Sequence, residues 1–320
     1  MPISTINKFA RYRSLNAYLK ERFGCKVYKL ALNGGMTCPN RDGTLGTRGC
    51  IFCSQRGSGD FAVGTGKDIA AQLDAARRIV AGKVRQAKYI AYFQSFTNTY
   101  APVKTLEALY TAAMEPDDVV ALSVATRPDC IPRDVLELLA RLNIQKPVWV
   151  ELGLQTIHPS TAAYIRRGYD LSCYEDCVRR LRAVGIEVIT HMILGLPFET
   201  PHMMYETAAY IGRSGVQGIK LQLLHILKDA DLAAPYLVGV FPSLTLAKYA
   251  ELLAGCLRRL PADMVIHRLT GDGAKRNLIA PLWSADKKYV LNTVHQYFDQ
   301  VDVKQGELYQ TGTVLFSTGI

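Results

Sequence analysis

Six short runs rich in apolar and β-branched residues recur along the chain, with amphipathic stretches of helix length between them, and this alternation limits the fold more than any other feature. The runs are KVYKLAL (26–32), KYIAYFQS (88–95), VVALSVA (119–125), VWVELGL (148–154), EVITHMIL (187–194) and GIKLQLLHI (218–226). Continuous apolar runs of this length read as strands buried on both faces, the pattern of a parallel sheet. Between them, 68–84, 104–114, 132–142, 172–184 and 201–214 carry apolar residues at helical spacing, which predicts an α/β fold. Six units fall short of the eight that close a TIM barrel, leaving a partial (β/α)6 barrel or a doubly wound sheet.

The residues least suited to a core decide between the two. A cysteine-bearing loop follows the first run, QSFTNTY the second, TRPDC the third, LQTIH the fourth, GLPFET the fifth and HILKDAD the sixth. Each of these segments falls at a strand's C-terminal end. Barrels assemble their sites on that face from many loops, whereas doubly wound sheets use one switch point, so a partial TIM-like barrel is expected. Its span is 25–260, after a basic lead-in, 1–24, and before a C-terminal extension, 261–320, whose one helix covers 286–298.

Charge is concentrated at the ends. Of a formal net charge of +10, residues 1–29 hold seven Lys/Arg against Glu21 alone, and 258–288 hold seven against Asp263, Asp272 and Asp286. Two basic ends around a balanced middle suit a polyanion, and equally suit a soluble surface. With 49% hydrophobic residues, no apolar leader in MPISTINKFARYRS and no regular secreted framework among the eight cysteines, the expected setting is the reducing cytoplasm. The longest uncharged run, 232–247, is too short for a membrane span and is broken by Pro235 and Pro242.

The loop NGGMTCPNRDGTLGTRGCIFCS (33–54) carries three thiols, Cys38, Cys50 and Cys53. Thiolates select zinc or iron–sulfur clusters. A closed zinc site needs a fourth ligand, yet the first histidine is His158, which leaves only Cys25. A cluster on three thiolates keeps one iron open, as S-adenosylmethionine chemistry requires. Elsewhere, VGTGKD lacks the spacing of a phosphate loop. Cys173 and Cys177, and the stripe Val290, Leu291, Val294, Tyr297 and Phe298, read as packing. Glu151, a charge inside an apolar strand, predicts a polar partner inside the barrel.

CPNRDGTLGTRGCIFC, with an aromatic before its last cysteine, resembles the radical S-adenosylmethionine superfamily, in a long-gap form similar to the Elongator catalytic subunit branch and an associated bacterial family. SLNAYLKERFG, TCPNRDGT, GSGDFA, TRPDC, HMILGLP and QGELY extend the resemblance over nearly the whole chain. It implies that Cys38, Cys50 and Cys53 hold a [4Fe–4S] cluster and that Phe52 lies beside the adenine of S-adenosylmethionine. Ser95 and Phe96 stand where relatives have the glycines of a turn that receives the methionine amino group. Gln155 and Arg167 match cofactor-binding positions of the oxygen-independent coproporphyrinogen oxidase, Arg167 as a guanidinium fork for the methionine carboxylate. His191 stands where that relative has a ribose-binding acid, and Thr126 is the candidate ribose contact beside Ala125. Taken singly, Gln155 also reads as a strand-end cap, His191 as a core histidine and Arg167 as an exposed helix charge. The implied activity is reductive cleavage to a 5′-deoxyadenosyl radical. Its implied partners are tRNA, with a wobble-uridine side chain as substrate, and a one-electron reductant such as flavodoxin or ferredoxin. A small metabolite as substrate, and a non-catalytic zinc module binding nucleic acid, are the alternatives.

Overall fold

Each of the six apolar runs is a strand, and the six pair in parallel in chain order. The computed structural model describes residues 11–55, 57, 68–81, 87–271 and 275–312. The chain begins with α1 (Leu15–Phe23), β1 (Val27–Leu32), α2 (Ile69–Ala81), β2 (Lys88–Phe93), α3 (Val103–Met114), β3 (Val119–Thr126), α4 (Arg133–Gln145) and β4 (Val148–Gln155). There follow α5 (Pro159–Tyr164), α6 (Leu171–Ala183), β5 (Glu187–Leu194), α7 (Pro201–Arg213), β6 (Gly218–Leu223), β7 (Ile226–Leu227), α8 (Ala233–Leu237), α9 (Leu246–Arg259), β8 (Val265–Arg268), β9 (Leu278–Ala280) and α10 (Lys287–Gln300). The elements GSGDFA and VGTGKD lie almost wholly outside the described residues.

The sheet has seven strands in the order β1-β2-β3-β4-β5-β6-β8, one more than the six expected. The seventh, VIHR, is four residues long and ends in two polar side chains, so no apolar run announces it. The sixth run also divides: Gly218–Leu223 stays in the large sheet, while Ile226–Leu227 turns away to pair antiparallel with Leu278–Ala280. The curled parallel sheet is the partial TIM-like barrel that the loops predict.

Helices α2 to α4, α6, α7 and α9 cover the outer face of the sheet, and the main core lies between, with Leu106, Leu138, Leu181, Ile211 and Leu253 fully buried. Burying one such side chain contributes about 1.5–3 kcal/mol. Val290, Val294 and Phe298 of α10 join this core, as does Cys177 of α6. Chain order, capping and packing agree here. Ser14 caps α1 by accepting from the Ala17 amide, and Gly24 ends it at φ 70°, a left-handed conformation that glycine adopts without strain.

Side chains facing the barrel interior follow the two-residue period of a strand and fall into tiers. The lowest is apolar: Val27, Ile90, Ala121, Trp149 and Ile189 pack together, and Leu19 of α1 seals them from below. Two residues along each strand the interior turns polar. Lys29, Tyr92, Ser123, Glu151, His191 and Lys220 form this middle tier. Strand register explains part of it, because Gly153, His191, Lys220 and Arg268 stand side by side across β4, β5, β6 and β8.

Candidate active site

A cavity of about 390 Å³ opens at the C-terminal ends of the strands and reaches down to the polar tier. Its upper wall is the cysteine loop. Residues 39–49 fold back on themselves, with the Gly49 amide donating to the Asn40 carbonyl at 2.7 Å, so the long gap leaves both Cys38 and Cys50 on the cavity. The Cys53 amide donates to the Cys50 carbonyl at 3.0 Å, and the Arg41 guanidinium donates to the carbonyls of Cys53 and Ser54 at 3.3 and 2.7 Å.

The donor set fits a cluster. A hydrogen bond from Cys53 pulls the Cys50 thiol down to about 6 despite burial, helped by the Asn40 amide at 3.4 Å and by the charges of Arg127 and Arg166. Cys53, the donor of that pair, is pushed well up. One thiolate is therefore already favoured at neutral pH, the form that binds metal. Among the described residues no three His, Cys, Asp or Glu side chains converge on a single ion. A cubane gives each thiolate its own iron, so three thiols on one cavity suit a cluster.

The loops beyond the strands carry the chain's unusual backbone. Phe96, Gln155, Arg166 and Phe198 all have positive φ, at 59°, 69°, 55° and 68°, and follow or end β2, β4, α5 and β5. Strain of this kind, of order 1–3 kcal/mol per residue, persists where a site over-determines it. Phe96 thus adopts the left-handed conformation that glycine takes without strain. The Phe96 amide donates to the Gly57 carbonyl at 2.9 Å and the Thr97 amide to Thr37 at 3.1 Å, tying this turn to the cysteine loop. A Cβ on Gly57 would stand 2.3 Å from the Phe96 ring, so the ring itself dictates glycine there.

TRPDC acts as a brace. Arg127 holds Asp129 with two hydrogen bonds, at 2.9 and 2.6 Å, and donates its third to the Arg167 carbonyl at 2.9 Å. Arg167, 4% exposed, is no surface charge: it donates to the carbonyls of Leu154, Thr156 and Tyr169 at 3.0, 2.7 and 3.0 Å. Among the described residues only its Nη2 lacks a protein acceptor, so Arg167 presents one nitrogen rather than a free fork. Tyr169 lies between the two guanidiniums, 4.9 and 4.8 Å from its ring centre.

On the cavity floor Glu151 is fully buried. One oxygen accepts from Lys29 and from Ser123 (2.7 Å), the other from Lys220 and from His191 Nε2 (2.7 Å). Burial alone would raise its carboxyl, but Lys220, Lys29 and the His191 bond hold it well below the usual range. Burial and Lys220 push His191 down to about 4, so the imidazole is neutral and donates from Nε2. Burial lowers Lys220 to about 7 against the pull of Glu151, with Lys29 and Arg268 adding to the shift.

Of the residues singled out in the sequence, Cys38, Cys50, Cys53, Phe52, Phe96, Thr126, Gln155, Arg167 and His191 all line this one cavity. Ser95 does not: Gln94 and Phe96 on either side line the cavity, while its own hydroxyl is buried without a partner among the described residues. Thr126 shares a 2.6 Å hydrogen bond with Thr99, and the buried Gln155 Oε1 has no partner among the described residues. Lys29, Tyr92, Lys220, Gln222 and Arg268 also line the cavity and escape a sequence reading, although Lys29 and Lys220 carry the same signal as Glu151, a charge within an apolar strand.

The basic ends do not both face the mouth. Helix α1 sits under the barrel, where Arg22 pairs with Glu187, the first residue of β5, and Arg11 joins Asp299 and Asp302 below α10. Arg258 donates to the Val301 carbonyl at 2.8 Å and pairs with Glu307, while Arg259 lies 4.4 Å from the Tyr205 ring centre. Among the described residues, the exposed cations of the segments beyond the strands include Arg48, Lys228, Lys275 and Arg276. No helix among the described residues is long and apolar enough to cross a membrane.

Residues 43–211 match the Radical SAM superfamily and residues 216–300 the Radical_SAM C-terminal domain. YtqA of Bacillus subtilis (strain 168) is 45% identical over 309 residues, covering 97% of this chain and 96% of that protein. YhcC of Escherichia coli (strain K12) is 37% identical over 291 residues, covering 91% and 93%. Archaeal Methanocaldococcus infernus Elp3 with residues 1–46 deleted shares the fold at a TM-score of 0.67 and 15% identity, over 87% of this chain and 64% of that one. Methylornithine synthase (PylB) shares it at 0.50 and 10% identity, over 91% and 86%.

Proposed function

The chain belongs to the radical SAM superfamily and is a radical SAM enzyme, and from that premise we infer that it remodels the side chain of a wobble uridine in tRNA. The observation that carries the enzymatic reading is the single cavity on which Cys38, Cys50 and Cys53 meet the strained turns at Phe96 and Gln155. The family implies a [4Fe–4S] cluster and S-adenosylmethionine, and Cys38, Cys50 and Cys53 are the residues that would hold the cluster. When bound, that cluster supplies one electron for reductive cleavage of S-adenosylmethionine to a 5′-deoxyadenosyl radical.

This chain's residues align and shield. Cys53, with Asn40 and the neighbouring guanidiniums, favours Cys50 as a thiolate. Phe52 offers an apolar face for the adenine, and Arg167 Nη2 and Gln155 Oε1 are the polar atoms left for the cofactor's methionine end and ribose. The Arg127–Asp129 pair keeps Arg167 in place. His191, neutral and locked to Glu151, acts as a hydrogen-bonding wall and not as a proton carrier near neutrality.

The RNA reading rests on the resemblance to the Elongator branch, on the fold shared with archaeal Elp3 and on the exposed Arg48, Lys228, Lys275 and Arg276 in the segments beyond the strands. A strain lacking the gene should accumulate a wobble uridine with an altered side chain, read by mass spectrometry of tRNA nucleosides. Unchanged wobble uridines, with 5′-deoxyadenosine still formed by the purified enzyme, would replace RNA by a small metabolite as substrate.

A further inference from the structure

In the middle tier two ammoniums meet one carboxylate. Lys29 and Lys220 both face the cavity, and Glu151 is the single carboxylate lining it among the described residues. Glu151 already accepts four hydrogen bonds, two at each oxygen, so its acceptor capacity is filled. Two ammoniums nevertheless share its one negative charge. They stand on the Tyr92 ring, each 4.6 Å from its centre, and Lys220 also donates to the Tyr92 hydroxyl at 2.9 Å. Lys220 is 3% exposed. Keeping Lys220 charged at such depth is unfavourable unless an anion joins it, and an apolar residue at 220 would pack at no such penalty.

The position of the tier narrows what the anion is. Trp149, Ile189 and α1 close the barrel beneath it. A phosphodiester continues into chain on both sides and cannot end at a closed floor, whereas a terminal group can. A flat anion with two oxygens can meet one N–H from each of two ammoniums held apart by a fixed counter-ion. We propose that Lys29 and Lys220, held by Glu151 over the Tyr92 ring, form a subsite for a terminal carboxylate-class group of the substrate. This deepens the reading of the cavity as a radical SAM active site and rests on it. Glu151 and Tyr92 are positioning residues, since they act through the lysines. Neutral His191 completes the wall and leaves the two ammoniums as the anion's partners.

The subsite is tested on the full-length protein with isotope-labelled acetate, followed by NMR line broadening, and with inorganic phosphate as comparator. Acetate should bind saturably, and Lys220→Met should weaken it by at least about tenfold, the effect of one charge-assisted hydrogen bond. Lys29→Met, at a more exposed position, should weaken it in the same direction, and Lys220→Arg should retain part of it. Binding should also weaken as pH rises through about 7, where Lys220 loses its proton among Glu151 of β4, Lys29 of β1, Tyr92 of β2, His191 of β5 and His267 and Arg268 of β8. Indifference of acetate to Lys220 and Lys29 alike would overturn the subsite, as would tighter binding of phosphate than of acetate. S-adenosylmethionine affinity should stay unchanged in Lys220→Met; a parallel loss would assign the lysines to the cofactor's own carboxylate. Formation of 5′-deoxyadenosine by the wild-type protein separates the two levels. Acetate indifferent to both lysines while deoxyadenosine forms refutes the subsite alone, and no deoxyadenosine refutes the enzymatic reading beneath it.

Discussion

The rim and the floor of one cavity are built in opposite ways. Rim residues sit on loops and reach their places through strained backbone and hydrogen bonds to carbonyls, as with Phe96, Gln155 and the Arg127–Arg167 brace. Floor residues sit inside strands, where register alone sets them side by side. The contrast shows in the charges too. At the rim, donors stabilise a thiolate on Cys50; at the floor, two ammoniums crowd one carboxylate. A loop can be reshaped around a ligand and tolerates replacement locally, whereas a strand substitution acts on the core as well.

The largest effect should come from the rim. Cys50→Ala should abolish both iron retention after anaerobic reconstitution and 5′-deoxyadenosine formation, while leaving thermal stability close to wild type because the loop holds itself by backbone bonds. Cys177→Ala should retain full iron, since that thiol is buried in the core of α6 away from the cavity. Iron bound at wild-type level by Cys50→Ala would break the assignment of the rim.

The floor should respond in stability first. Glu151→Gln leaves the buried Lys220 and the partly buried Lys29 without their counter-ion, a loss of about 3–5 kcal/mol for a broken buried pair. The loss should be greatest near pH 6 and smaller near pH 9. With Glu151 present folded Lys220 releases its proton near 7, and without Glu151 it does so lower still, whereas an unfolded lysine does so near 10.5. In that window the unfolded chain binds more protons, so stability from this group rises with pH and the orphaned ammonium is relieved. Chemical denaturation at the two pH values measures it, and a loss independent of pH would show that Lys220 is not the group left unpaired.

Arg167→Ala lies between these cases, because its side chain is on the rim yet buried. Losing the three carbonyl bonds and the cavity-facing Nη2 should weaken S-adenosylmethionine binding by about 1.5–3 kcal/mol while iron content stays full. Calorimetry with the reconstituted protein reads both, and unchanged affinity would restrict Arg167 to bracing the loop.

The same division governs what could be read from sequence. Periodicity placed five of the six strands within two residues, with β5 matching the run EVITHMIL at both ends, whereas the sixth run overran β6 by three. It missed Val265–Arg268, because a four-residue edge strand with two polar ends has no apolar run. Thiols stand out by type and Glu151 by contrast with its neighbours. Lys29 and Lys220 stand in apolar runs as Glu151 does, and Lys220 is buried with both of its neighbours in GIKLQL. The fate of the basic ends was not legible at all, because which arginine finds an internal acid depends on pairs such as Arg11 with Asp299, 288 positions apart.

That last point yields the smallest expected effect. If tRNA is the substrate, phosphate contacts come from cations free to meet them, and the structure separates these from cations already engaged. Arg258 and Arg259 are held by Val301, Glu307, Gly255 and the Tyr205 ring. Lys228, Lys275 and Arg276 are exposed near the β7–β9 pair. Binding of tRNA should weaken steeply with salt, and neutralising Lys228, Lys275 or Arg276 singly should reduce the slope of log K against log salt by up to about 1 each. Arg258→Ala and Arg259→Ala should leave the slope unchanged and register only in stability. Filter binding across roughly 50 to 200 mM salt resolves the difference. Equal slopes in all five variants would mean that these exposed cations do not meet phosphate, and the RNA contact would have to lie elsewhere on the molecule.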